Sequence, residues 1–101
     1  MTDSYDSVFR PDLFADKIAI VTGGGSGIGR CTAHEIASLG AHTVLMGRTE
    51  EKLVTVAEEI DEDGGSASFH TCDIRDEERV EEVIDAVVQE HDKIDFLVNN
   101  A

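Results

Sequence analysis

Residues 17–30 read KIAIVTGGGSGIGR, and the reading of this stretch decides the fold. Residues 17–22 are a short, β-branched apolar run, the composition of a strand buried on both faces of a parallel sheet. Five glycines then fall within the seven residues from Gly23 to Gly29, and a helical pattern follows directly. That order sets three requirements: a tight turn at Gly23, a backbone that comes within hydrogen-bonding reach of a ligand at Gly27, and a helix packed close on the sheet at Gly29. Each excludes a Cβ. The first helical N–H groups, those near Ile28, carry the positive end of the helix dipole, so the spacing predicts a cradle of main-chain amides for a pyrophosphate. A glycine turn without a ligand is the plain alternative, and the strand before and helix after argue against it.

Outward from the loop, Gly29, Ala33 and Ala37 at spacing four make a smooth helix side, flanked by Ile28, Thr32, Ile36 and Leu39. Gly40 stops that helix, and residues 42–46 form a second strand. Thr49 caps a second helix that buries Leu53, Val56, Ala57 and Ile60. Residues 63–65 break it, residues 66–72 form a third strand, and Asp76 caps a third helix with Val80, Val83, Ile84, Val87 and Val88 on one face. Residues 94–98 form a fourth strand. Strands alternating with helices predict an α/β, Rossmann-like parallel sheet with three helices. Right-handed crossovers and a reversal at the nucleotide crevice give strand order 3-2-1-4, with two helices on one face and the third on the other. Strand four is then a bare apolar edge, so the domain is expected to be C-terminally truncated. Residues 1–16 are read as an N-terminal leader and residues 17–101 as an incomplete nucleotide-binding segment.

The chain has 101 residues, 22 acids against 8 bases, a net charge of -14 and 41% hydrophobic residues. That apolar content suits one folded domain. So acidic a surface repels polyanions, and the bases form no cluster along the chain, which argues against nucleic acid and anionic membranes as partners. No apolar run approaches a membrane span and no presequence pattern opens the chain, so a cytoplasmic location is expected. Cys31 and Cys72 lack CxxC spacing and read as buried reduced thiols. His34, His42, His70 and His91 lack metal-ligand spacing, so no metal site is expected.

Thr22-Gly23-Gly24-Gly25-Ser26-Gly27-Ile28-Gly29 resembles the TGxxxGxG motif of the short-chain dehydrogenase/reductase family. Cys72-Asp73-Ile74 is similar to the family's segment after the third strand, and Asn99-Asn100-Ala101 to its NNAG motif. The leader SVFRPDLF, the GR after strand two and CDIRDE look most like the branch containing trans-2-enoyl-CoA and 2,4-dienoyl-CoA reductases. The resemblance implies that Asp73 accepts from the adenine amino group, that the Ile74 backbone bonds the ring edge, and that Asn100 contacts the cofactor ribose and ties strand four to its neighbours through side-chain hydrogen bonds. Asp73 read by itself could simply end a strand and cap the next segment.

NAD-binding folds place an acid at the end of strand two, where it binds the adenosine ribose; here that place holds Gly47, followed by Arg48. A small residue and a planar cation favour a 2'-phosphate, hence NADP, with NAD possible. Ser26 resembles the family serine that reaches the same ribose or its phosphate. The bland reading of Arg48 is a solvated cation paired with Glu50 or Glu51.

The resemblance implies an NAD(P)-dependent oxidoreductase that transfers hydride between NADP(H) and a carbonyl, alcohol or enoyl-CoA substrate, homo-oligomeric at full length. The family's catalytic tyrosine is followed four residues later by lysine. The one tyrosine here, Tyr5, is followed by Phe9 at that spacing, so no catalytic residue is assigned. A nucleotide-binding module without catalysis is the alternative, and an S-adenosylmethionine methyltransferase is disfavoured because it too wants an acid ending strand two.

Overall fold

The computed structural model describes residues 8–100. Tyr5 and Ala101 lie outside them. The elements run β1 (Ile18–Thr22), α1 (Gly27–Ser38), β2 (His42–Gly47), α2 (Glu50–Glu62), β3 (Ser66–Thr71), α3 (Glu77–His91) and β4 (Phe96–Val98). The sheet is wholly parallel, in the order β3-β2-β1-β4, as the crossover argument requires.

Register explains the two cores. Val21 stands between Leu45 of β2 and Val98 of β4, and Ala19 between Thr43 and Phe96. Side chains alternate across the pleat, so Ala19, Val21 and Leu45 meet Ala33, Ala37, Leu53, Val56 and Ile60 of α1 and α2 on one face. Ile18, Ile20, Val44 and Met46 meet Val83 and Val87 of α3 on the other. All five β1 residues are buried, which is why that run carries no polar alternation. Each fully buried aliphatic side chain contributes about 1.5–3 kcal/mol.

Several boundaries differ from the sequence expectation. β4 starts at Phe96 rather than Ile94, because Asp95 is occupied in closing the sheet end. Its N–H donates to the Ile18 carbonyl (2.8 Å), and its Oδ2 accepts from the Ile18 N–H (2.8 Å). The Ile18 N–H bond is the leading cause that holds the Asp95 carboxyl below the usual range. Val88 is 41% exposed, one position round the helix from the buried Val87. Ile28 is 75% exposed, at the loop end of α1 where no sheet lies beneath it. Cys31 is exposed on the outward side of α1, and only Cys72 is the buried thiol expected of both. Asp76 caps α3 by accepting from the Arg79 N–H, whereas Thr49 is the N-cap of α2 by backbone geometry alone.

Polar groups join the elements at three points. Arg30 donates Nε to Glu59 Oε1 (3.0 Å) and pairs through Nη2 with Oε2. The nearly buried His34 meets the same carboxylate through Nε2 at 3.0 Å, so α1 and α2 are clasped there. Burial works to raise the Glu59 carboxyl, but the hydrogen bonds from His34 and Arg30 prevail and hold it low. His42 rests its ring nitrogens on the hydroxyls of Ser66 (2.6 Å) and Ser68 (3.0 Å), and its ring lies 4.4 Å from that of His91. Burial and then His91 push the His42 imidazole below its usual range. Finally, Phe14 donates its N–H to the Leu39 carbonyl (2.8 Å) and packs its ring against Phe96 at 5.0 Å, so the leader is partly built into the core.

Candidate functional site

The C-terminal ends of β1, β2 and β3 open into a cleft of about 400 Å³. β1 gives it Gly23; β2 gives Met46, Gly47 and Arg48; the segment after β3 gives Cys72, Asp73, Ile74 and Arg75. It lies outside the carboxyl ends of the parallel strands, on the β2–β3 side of the β1/β4 point where strand order reverses. The walls are knitted by the Cys72 N–H to the Gly47 carbonyl (2.7 Å) and by the Gly24 N–H to the Met46 carbonyl (3.3 Å).

The glycine loop meets each of the three requirements. Gly23 has φ +65°, the left-handed turn after β1. Gly29 lets α1 sit on the loop, since a Cβ there would overlap the Gly23 carbonyl oxygen and stand 2.7 Å from the Asn100 amide nitrogen. Gly27 has φ +58° and no atom within 4 Å of where its Cβ would lie. A side chain at Gly27 would therefore fill open space, as it must where a ligand is to approach the backbone. The residues present fit a diphosphate at the start of α1.

A second cavity of about 180 Å³ shares Gly23, Gly47 and Arg48 with the cleft and is closed by Ser26, Thr49 and Lys52. That is room enough to admit a phosphate group. Ser26 and Thr49 are the N-caps of α1 and α2, and neither hydroxyl caps its own helix. Two helix N-termini therefore converge on one small space. Arg48 is exposed and, among the described residues, makes no ion pair with Glu50 or Glu51; its charge instead helps Arg75 to lower the carboxyl of Asp73 across the cleft.

Asp73 is more engaged than expected. Its Oδ1 accepts from the Arg75 N–H (2.9 Å) and Nε (3.1 Å), and its Oδ2 from Arg75 Nη2 (2.9 Å). The Arg75 side chain, then its main-chain N–H, draws the Asp73 carboxyl down to about 2. Cys72 behaves oppositely: burial pushes its thiol up. Asn100 ties β4 to β1 through its main-chain N–H, which donates to Thr22 Oγ1 (2.8 Å), rather than through its amide. The same Thr22 hydroxyl meets the Val98 carbonyl (3.2 Å) and Asn99 Oδ1 (3.3 Å).

The family model for short chain dehydrogenases matches residues 17–101. The chain belongs to the short-chain dehydrogenase family. Among curated short-chain dehydrogenase relatives, a fatty acyl-CoA reductase of Acinetobacter baylyi is 38% identical over 101 residues, covering all of this chain and 34% of that protein. A peroxisomal 2,4-dienoyl-CoA reductase of Mus musculus is 39% identical over 98 residues, covering 96% of this chain and 34% of the mouse protein. The chain thus spans about a third of the length of these curated relatives. Among solved structures, a citronellol catabolism dehydrogenase of Pseudomonas aeruginosa PAO1 superposes with TM-score 0.94 at 62% identity, over 96% of this chain and 41% of that one. A metagenomic short-chain oxidoreductase in complex with NADP gives TM-score 0.86 at 39% identity, over 88% and 40%. An NAD+-bound xylitol dehydrogenase gives 0.84 at 39% identity, over 87% and 34%.

Of the residues expected from the sequence, the structure gathers Gly23, Ser26, Arg48, Asp73 and Ile74 around the two adjoining spaces, with Gly27 beside Ser26 at the start of α1 and Gly29 and Asn100 packed behind the loop. Ile28 lies beside them on the first turn of α1. Lys52, Thr49 as a wall residue, and Arg75 are additions that the sequence did not single out. Lys52 had a faint signal: it stands three residues after a helix cap, where a first-turn side chain can reach back towards the helix start. The bases unclustered along the chain come together here, three of the 8 lining the two spaces. Among the described residues no group of three His, Cys, Asp or Glu side chains could hold a metal, and no helix is long and apolar enough to cross a membrane.

Proposed function

We propose that this chain is the cofactor-binding part of an NADP-dependent oxidoreductase. The observation that carries the reading is the small pocket beside the cleft, where the exposed Arg48 and Lys52 stand next to two N-cap hydroxyls that do not cap their own helices. When bound, the nicotinamide would supply or receive the hydride, exchanged with a carbonyl, alcohol or enoyl-CoA substrate.

The chain's own residues then divide the work of binding. Gly23, Gly27 and the first amides of α1 near Ile28 take the pyrophosphate, with Gly29 seating the helix that presents them. Ser26 and Arg48 take the 2'-phosphate, with Thr49 and Lys52 completing its walls. Asp73 accepts from the adenine amino group, the Ile74 main chain meets the ring edge, and Asn100 approaches the nicotinamide-side ribose. Gly47 leaves room where an acid would repel a 2'-phosphate. The catalytic acid and base are assigned to no residue of this chain. The full-length protein is a cytoplasmic homo-oligomer on this reading.

The test is titration of the full-length protein with NADP and NAD before and after Arg48→Ala. NADP affinity falls about tenfold or more, the scale of a lost charge-assisted hydrogen bond, and NAD changes little. Equal losses for both nucleotides would remove Arg48 from the phosphate site.

A further inference from the structure

Asp73 and Arg75 stand two residues apart at the mouth of the cleft, and three hydrogen bonds join them. Both carboxylate oxygens are occupied: Oδ1 by the main-chain N–H and Nε of Arg75, Oδ2 by Nη2. A free carboxylate on a loop turns about its last bond and presents its lone pairs in many directions. This one is fixed on one side by a planar fork and a main-chain donor, which leaves the remaining lone pairs facing away from Arg75. Asp73 and Arg75 both line the cleft of about 400 Å³.

The electrical consequence is as specific as the steric one. An ionised carboxylate only accepts hydrogen bonds, whereas a protonated one also donates. A planar base that closes over Asp73 displaces water, and desolvation alone would favour the neutral acid. The guanidinium, bonded in plane to both oxygens, opposes that change.

We infer that Arg75 is a positioning residue which holds Asp73 as a fixed acceptor, and so selects a purine bearing an amino group at position 6 over one bearing an oxo group. The inference rests on the nucleotide reading above and deepens it at the base end of the cleft. A 6-amino group donates to the waiting oxygen. A 6-oxo group brings a second acceptor against a carboxylate that has no proton to offer, and a site built for a donor rejects the analogue that lacks it.

The experiment compares NADP with its hypoxanthine analogue, deamino-NADP, by calorimetric titration of the full-length protein, as wild type, Arg75→Ala, Arg75→Lys, Asp73→Ala and the double variant Asp73→Ala/Arg75→Ala. The wild type prefers NADP. Arg75→Ala lowers that preference about three- to fivefold, on the scale of an exposed charged pair. Arg75→Lys keeps the charge and loses the fork, so it restores only part of the preference. In the Asp73→Ala background, removing Arg75 changes the preference no further, because Arg75 acts through Asp73. A merely structural Arg75 would weaken both nucleotides alike, and an unchanged ratio in Arg75→Ala overturns the inference while leaving the nucleotide site standing. Failure of the wild type to bind either nucleotide overturns the underlying reading, and this inference with it.

Discussion

The carbonyl oxygen of Gly23 occupies the place where a Cβ on Gly29 would stand. Turn and helix are thereby packed backbone to backbone, and the amides at the start of α1 are brought to the mouth of the cleft. Gly29→Ala forces loop and helix apart and is expected to cost about 1–3 kcal/mol of stability, the range of core overpacking. Gly27→Ala meets no atom and bears only the strain of φ +58°, about 1 kcal/mol. Urea unfolding of the two variants checks the order. A Gly29→Ala protein as stable as Gly27→Ala would mean the close contact is not real.

Lys52 should act on the phosphate and on nothing else. Its side chain is exposed, so Lys52→Ala leaves stability within about 0.5 kcal/mol of wild type. NADP affinity falls about fivefold, the scale of one screened charge contact, and NAD affinity stays put. Titration at two salt concentrations checks the assignment, since the NADP-specific loss shrinks as salt rises.

Much of the architecture was legible in the chain, because the signals that mark it are local. The strand 17–22 and the glycines after it need only sequence neighbours to be read, and so do the 3.6-residue repeats of α2 and α3. What could not be read depends on the crossover. Ser26 and Lys52 are far apart in sequence and meet because β1 and β2 are adjacent parallel strands whose following helices start at the same end of the sheet. His42 meets His91 only because α3 crosses back under β2. Val88 and Cys31 failed for different reasons: a helical repeat leaves residues at the margin of the inward side, such as Val88, to fall either way, whereas Cys31 was read as buried from its residue type and spacing, and the α1 repeat puts it opposite Gly29, Ala33 and Ala37. The branch of the family is not singled out either, as the two acyl-CoA reductases named above match about equally well.

The His42 environment gives stability a pH dependence near neutrality. The folded imidazole titrates below its unfolded value, led by burial. Between those two values the unfolded chain binds more protons, so stability rises with pH. The contribution is complete above the unfolded value, near 6.5, and is lost as pH falls towards the folded one. Melting temperatures from pH 7.5 down to 5.5 should therefore fall more steeply for wild type than for His42→Gln. Parallel curves would remove His42 as the source.

The two cysteines should differ in reactivity. Cys31 is exposed and Cys72 is buried with its thiol pushed up by that burial. Brief alkylation of the folded protein, read by peptide mass spectrometry, labels Cys31 and spares Cys72. Both are labelled in denaturant. Rapid native labelling of Cys72 would show that the floor of the cleft is open to water.

The central claim is that the loop from Gly23 to Gly29 holds the diphosphate of a pyridine dinucleotide, and calorimetric titration of the full-length protein tests it most directly. The account predicts saturable binding of NADP, weaker binding of NAD, and loss of both in Gly27→Val, whose side chain would fill the space open at that position. Absence of binding for both nucleotides in the wild type, or full binding in Gly27→Val, would contradict it.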